Sequence, residues 1–228
     1  FMGFEIDGAF QECLAIPEKN VFKIPDNTSF EEAAILEPVT VSLHAMDFIQ
    51  PKLGERVAVF GQGPIGLVYD QIAALQGLEV IGIDIREDRL GLAKELGVKC
   101  TINPLKENVR DRIIRITDDV GVDYSVEAVG TQATIDQASK VIRSGGKMII
   151  IGEGKDLRGP PLRLDDISLF TIFNGGSRKH ATALNLVSQG KVNVRKLLTH
   201  TIELTQLPAI MQKLCREEMQ AVKVVINL

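Results

Sequence analysis

A glycine pattern set between a strand and a helix leaves this chain few folds to choose from. Arg56-Val-Ala-Val-Phe60 is an apolar run of strand length, and Gly61-Gln62-Gly63-Pro64-Ile65-Gly66 follows it without a gap. Pro64 then opens a segment of helical periodicity that runs to Gln76, in the first turn, where its missing N–H costs nothing. A G-x-G-x-x-G spacing by itself is common by chance. At a strand-to-helix junction each glycine has a task. Gly61 permits the tight turn, Gly63 lets the main chain approach a pyrophosphate, and Gly66 lets helix and strand touch. Phosphates held there would face unpaired N–H groups and the positive end of the helix dipole.

The surroundings of this junction repeat its texture. Glu79-Val-Ile-Gly-Ile-Asp84 reads as the next strand, and Glu87 to Leu96 as a helix that Gly97 stops in a left-handed turn. Further strands are predicted at Lys99–Ile102, Val122–Val126 and Lys147–Ile151, separated by helices near Leu105–Thr117 and Thr131–Ile142. Strands that alternate with helices form crossover units on a parallel sheet. They are apolar throughout, as expected when helices cover both faces. The fold class is therefore α/β, a Rossmann doubly wound parallel sheet.

Asp84 stands 18 positions after Gly66, at the end of the second strand. A carboxylate there accepts hydrogen bonds from an adenosine ribose and repels a 2′-phosphate. Two like charges about 4 Å apart cost on the order of 4 kcal/mol at an effective dielectric near 20, which favours NAD. Arg86 and Arg89 pull the other way, since either could reach a 2′-phosphate. A ligand in such a sheet lies across the carboxyl ends of the strands, which brings Val129-Gly130 and Ile151-Gly152 near the ribose and nicotinamide.

The flanks read differently. Residues 9 to 24 are extended and broken by Pro17 and Asn20, Ser29-Phe-Glu-Glu32 is a capping box, and a helix is expected from Pro38 to about Phe48. Loops are expected at Pro160-Pro161 and Asn174-Gly175-Gly176, helices near Ala181–Gln189 and Leu204–Leu214, and a last strand at Ala221–Ile226. A net charge of −4 gives no basic face for nucleic acid. No apolar run has membrane length. Three scattered cysteines, Cys13, Cys100 and Cys215, suit a reducing cytoplasm and carry no local zinc spacing.

Taken in order, these segments resemble the medium-chain dehydrogenases, and within them the zinc-dependent alcohol and polyol branch typified by sorbitol dehydrogenase. The resemblance runs from Asp7-Gly8-Ala9-Phe10 through Glu37-Pro38, His44-Ala45, Gly61–Gly66, Arg89-Leu90 and Glu127-Ala128-Val129-Gly130. It continues to Gly145-Gly146-Lys147, Gly175-Gly176-Ser177-Arg178 and Leu198-Thr199-His200.

The resemblance implies a Rossmann domain, residues 51–174, set into a GroES-like catalytic domain to which residues 1–50 and 175–228 belong. It implies NAD(H) held by Gly61, Gly63, Pro64, Ile65, Gly66, Asp84, Arg89, Val129, Gly130, Ile151 and Gly152, with Arg178 on cofactor phosphate. Glu37 matches the acidic residue facing the catalytic zinc or its water, as both catalytic and metal-site residue. His44 and His200 are expected to be packed or capping, and His180 exposed. The family's other zinc ligands, a Cys and a His-Glu pair, and its four-cysteine lobe have no counterpart here, so the resemblance implies a chain without the N-terminal part of that domain. The expected substrate is a small alcohol or polyol, with assembly as a homodimer or homotetramer. A zinc-free, quinone-reductase-like member and a non-catalytic nucleotide-binding module are the alternatives. Tyr69-Asp70, in the helix after the glycines, departs from the family's pattern.

Overall fold

The computed structural model describes residues 3, 5–160, 166–175 and 179–228. Strands β1 (Arg56–Phe60), β2 (Glu79–Ile83), β3 (Cys100–Ile102), β4 (Val122–Glu127), β5 (Ile142–Ile150) and β6 (Ser168–Thr171) form one sheet in the order β3-β2-β1-β4-β5-β6. Every pairing in it is parallel. The winding reverses between β1 and β4, which creates a crevice at their carboxyl ends. The doubly wound α/β sheet expected from the sequence is present.

Helices α1 (Phe30–Ala34) and α2 (Leu36–Ile49) precede the sheet. The Ser29–Glu32 capping box closes reciprocally at the start of α1. Helix α2 is apolar on nearly every side, with Val39, Ala45 and Ile49 fully buried, because it lies inside rather than on the surface. Lys147 of β5 donates from Nζ to the carbonyls of Phe48 and Ile49 at its end, where a cation suits the dipole.

Helices α3 (Pro64–Leu75) and α4 (Glu87–Glu95) cover one face of the sheet, and α5 (Val109–Ile116) and α6 (Gln132–Ser139) the other. The strands feed both layers by alternation: Val57 and Val59 enter the core beneath α3, while Ala58 and Phe60 enter the core beneath α5 and α6. Helix α7 (His180–Ser188) packs on α2, and α8 (Leu207–Cys215) follows strand β7 (Leu198–Glu203), whose parallel partner is β8 (Lys223–Asn227).

Several boundaries differ from expectation. Helix α5 starts at Val109, not near Leu105, because Asn108 caps it through Oδ1 on the Asp111 N–H. Strand β5 begins at Ile142, where a helix end was expected, and reaches Lys147 across a register shift. Strands β6 and β7 were not anticipated: β6 is four residues long at the sheet edge, and β7 interleaves Thr and His with its apolar positions. Among the described residues, no helix is long and apolar enough to cross a membrane.

Candidate dinucleotide site

At the crevice, the turn from β1 to α3 leaves no room for a side chain at Gly61 or Gly66. Gly61 adopts a left-handed φ of 95°, and a Cβ on Gly66 would lie 1.8 Å from the Gly61 carbonyl oxygen. No side chain caps α3, whose N-cap is Gly63. Its first-turn N–H groups are therefore left for a ligand. Phe60, Gly61, Gly63, Asp84, Val129 and Thr131 line one cleft beside them.

Asp84 sits at the rim of that cleft, joined to the glycine turn. Its Oδ2 accepts the Gln62 N–H at 2.7 Å and its Oδ1 the Arg86 N–H at 2.9 Å. Both arginines line the same cleft, and each is already engaged by other groups. The Arg86 guanidinium grips Asp88 through two nitrogens. Arg89, from its place in the cleft wall, donates to two carbonyls, those of Gln62 at 3.2 Å and Ala221 at 2.6 Å, and so braces the glycine turn.

The loops after β4 and β5 meet across the crevice. Val129 covers Gly61, since a Cβ there would come within 2.6 Å of its Cγ2. Gly130 and Gly152 touch through the main chain: a Cβ on Gly152 would stand 2.1 Å from the Gly130 nitrogen. Both Ile151 and Gly152 donate their N–H groups to the Glu127 carbonyl. The fully buried Glu127 side chain organises the other loop, its Oε1 accepting from Val129 N–H, Gly130 N–H and Thr134 Oγ1. Sequence reading passed over Glu127 as a site residue, although a carboxylate ending an apolar strand was a usable signal.

Glu37, in the first turn of α2, keeps an exposed face. Burial of its surroundings nonetheless pushes its carboxyl above the ordinary range, with Lys223 and His180 acting against the shift and Glu153 with it. His180 is half-buried rather than exposed, stacked on Phe22 with ring centroids 5.2 Å apart. His44 packs edge-on against Phe48, and His200 is half-buried. Arg178 lies outside the described residues. Among the described residues no group of three or more His, Cys, Asp or Glu could hold a metal ion. A catalytic zinc needs three protein ligands and an open position, and this side-chain set does not fit it.

Comparisons with known proteins agree with this geometry. Residues 64–189, more than half of the chain, match the model of a family described as zinc-binding dehydrogenase. The sorbitol dehydrogenase of Bacillus subtilis (strain 168) is 30% identical over 226 residues, which are 97% of this chain and 64% of that protein. Alcohol dehydrogenase TADH from Thermus sp. ATN1 has a TM-score of 0.87 at 29% identity, covering 97% of this chain and 66% of that one. A provisionally assigned zinc-binding dehydrogenase from Sinorhizobium meliloti 1021, bound to NADP, has a TM-score of 0.89 at 27% identity over 100% of this chain and 68% of that one. The chain thus spans less than two thirds of the curated relative's length. By the reach of that family model and by its sheet order, the chain belongs to the zinc-binding dehydrogenases of the medium-chain superfamily.

Proposed function

We propose that this chain carries the NAD(H) site of a zinc-type alcohol or polyol dehydrogenase, which moves hydride between a secondary alcohol and NAD. The observation that carries the reading is the Asp84 carboxylate, fixed by the Gln62 N–H at 2.7 Å beside an uncapped helix start. Gly61, Gly63, Pro64, Ile65 and Gly66 cradle the pyrophosphate, and Asp84 takes the adenosine ribose. Val129, Gly130, Ile151 and Gly152 border the second ribose and the nicotinamide. Arg178 reaches cofactor phosphate. Arg89 contributes from the cleft wall, by holding the Gln62 carbonyl. The nicotinamide ring, when bound, supplies the hydride chemistry; the chain's part is to orient it and close one wall against water.

The cofactor choice rests on this chain's own residues, because the Sinorhizobium relative carries NADP. Arg86 and Arg89 line the cleft with Asp84, but Arg86 is engaged by Asp88 and Arg89 by two carbonyls, so turning either guanidinium to a 2′-phosphate would cost those bonds. Glu37 is the carboxylate this chain would bring to a zinc site. Residues 1–50 and 175–228 form the catalytic-domain part around a Rossmann domain at 51–174. The substrate is a small alcohol or polyol, with no role for nucleic acid or membrane. Three free cysteines suit a reducing cytoplasm, and the β6 edge, with Leu169 45% exposed, suits a homodimer or homotetramer.

Fluorescence titration tests the cofactor assignment. NADH is expected to bind at least about tenfold more tightly than NADPH, and Asp84→Ser to close that gap by about tenfold, the order of one lost hydrogen bond or charge repulsion. Equal affinity of the unmodified chain for both cofactors rejects the preference assigned to Asp84 and shifts attention to Arg86.

A further inference from the structure

Behind the glycine turn lies a polar cluster that the dinucleotide site does not use. Asp70, on α3, is 1% exposed, and neither of its carboxylate oxygens meets a donor. The polar group facing it is the side-chain amide of Gln62, which is 0% exposed. That amide donates from Nε2 to the Val59 carbonyl at 3.2 Å, while its Oε1 has no donor. The side chain cannot retreat, because it lies against the main chain of β2. A Cβ on Gly82 would stand 3.1 Å from both Cδ and Oε1 of Gln62.

Both carboxylate oxygens of Asp70 and Oε1 of Gln62 are thus buried acceptors without a donor. Turning the amide over would satisfy an ionised Asp70 but set Oε1 against the Val59 carbonyl, acceptor against acceptor. A single proton on Asp70 satisfies both sides. Burial holds this carboxyl well above the ordinary carboxylate range, with the Gln62 contact working against the shift. Among the described residues no cation compensates it. Of the titratable groups on the surrounding elements, Glu79 on β2 pairs with Arg56 and Glu95 on α4 with Lys196. Tyr69 beside it and Cys100 on β3 are kept neutral by burial. Lys94 on α4 and Lys99 before β3 make no ion pair with it.

We propose that Asp70 is a positioning residue of the cofactor site: its neutral carboxyl O–H donates to Gln62 Oε1, and the resulting Asp70–Gln62–Val59 chain of hydrogen bonds fixes residue 62. The main chain of that residue holds both site walls, its N–H on Asp84 at 2.7 Å and its carbonyl under Arg89 at 3.2 Å. The effect on cofactor rests on the NAD(H) reading; the buried bond itself does not.

Infrared spectroscopy reads the bond directly. A protonated-carboxyl carbonyl band is expected at neutral pH, absent from Asp70→Asn and displaced in Gln62→Leu; no such band overturns the proposal whatever the chain binds. In NADH titrations Asp70→Asn, whose amide can still donate to Oε1, keeps affinity within about twofold. Asp70→Leu and Gln62→Leu each weaken it about five- to tenfold, the order of one hydrogen bond, and the double variant is no weaker than either. Gln62→Leu breaks the same bond from the other side should Asp70→Leu fail to fold. The unmodified chain loses affinity as the solution is made alkaline, while Asp70→Asn stays level. Additive losses, or Asp70→Leu binding like the parent, overturn the positioning role. A chain with the band and its Gln62 dependence, yet without NADH binding, upholds the bond and rejects the NAD(H) reading instead.

Discussion

The six-stranded sheet and the β7–β8 pair are built from similar residues and end in opposite physical states. In the sheet, Val57, Ala58 and Val59 are 0% exposed, and α3 buries every residue from Gly66 to Ala73. Helix α8 buries none of its residues, and the pair beneath it buries only Ile202 and Val225. Yet α8 has its own apolar side: Leu207, Ile210, Met211 and Leu214 line an open groove with β8 and Phe10. Apolar periodicity dictates that a helix forms a face. Whether that face becomes core depends on a second layer arriving from elsewhere in the chain. Stability should therefore reside in the sheet, where the cofactor cleft is also built.

The largest break in that comparison should come from Ile149→Ala near the carboxyl end of β5, 0% exposed. Deleting that side chain should cost about 3 kcal/mol, the transfer loss plus the cavity left behind, as read from urea unfolding. A cost near zero would mean that the sheet core is loosely filled. Gly66→Ala should come next, at about 2 kcal/mol. Its new Cβ meets the Gly61 carbonyl at 1.8 Å, so the turn must open and NADH binding should be lost with it. Binding at parental affinity would show that the close contact of helix and strand does not shape the site.

Asp70 tests the same layer through pH. Its folded-state pKa is raised, so the native chain holds a proton that the unfolded chain releases above about pH 4. Stability from this group is full below that pH and falls as pH rises towards the folded value, by at most about 1.4 kcal/mol per pH unit. Asp70→Asn should thus gain on the parent progressively across that window and match it in acid. A gap between the two proteins that stays constant with pH would mean that Asp70 is not buried in its neutral form.

Local chemistry decided what could be read in advance. The glycine turn, Pro64 and Asp84 lie within 24 positions, and their spacing alone specifies strand, turn, helix and acid-ended strand. Strands β6 and β7 were illegible because an edge strand and an isolated pair lack the double burial that makes a strand uniformly apolar. Among the site residues, Arg89 was noticed for its charge, but its partner Ala221 is 132 positions away. Its use as a brace has no local signal. Asp70 did carry one, as an acid in an otherwise apolar helix. Gln62 did not, since its position in the glycine pattern tolerates any residue, and its importance lies in what its amide meets behind the turn.

The smallest effect is expected on α8, and it sharpens the comparison most. Met211 is 49% exposed and faces the open groove. Met211→Gln keeps the unbranched side-chain shape and a good helix former, and removes no fully desolvated contact. Stability should change by no more than about 0.5 kcal/mol, the range of surface substitutions. The groove would lose part of its apolar lining, so self-association and uptake of a hydrophobic dye should fall although the fold is as stable as before. These two readouts separate cleanly in the same sample. If Met211→Gln costs as much as Ile149→Ala, α8 is sealed in solution by another layer, and the contrast between the two sheets is one of assembly rather than of sequence.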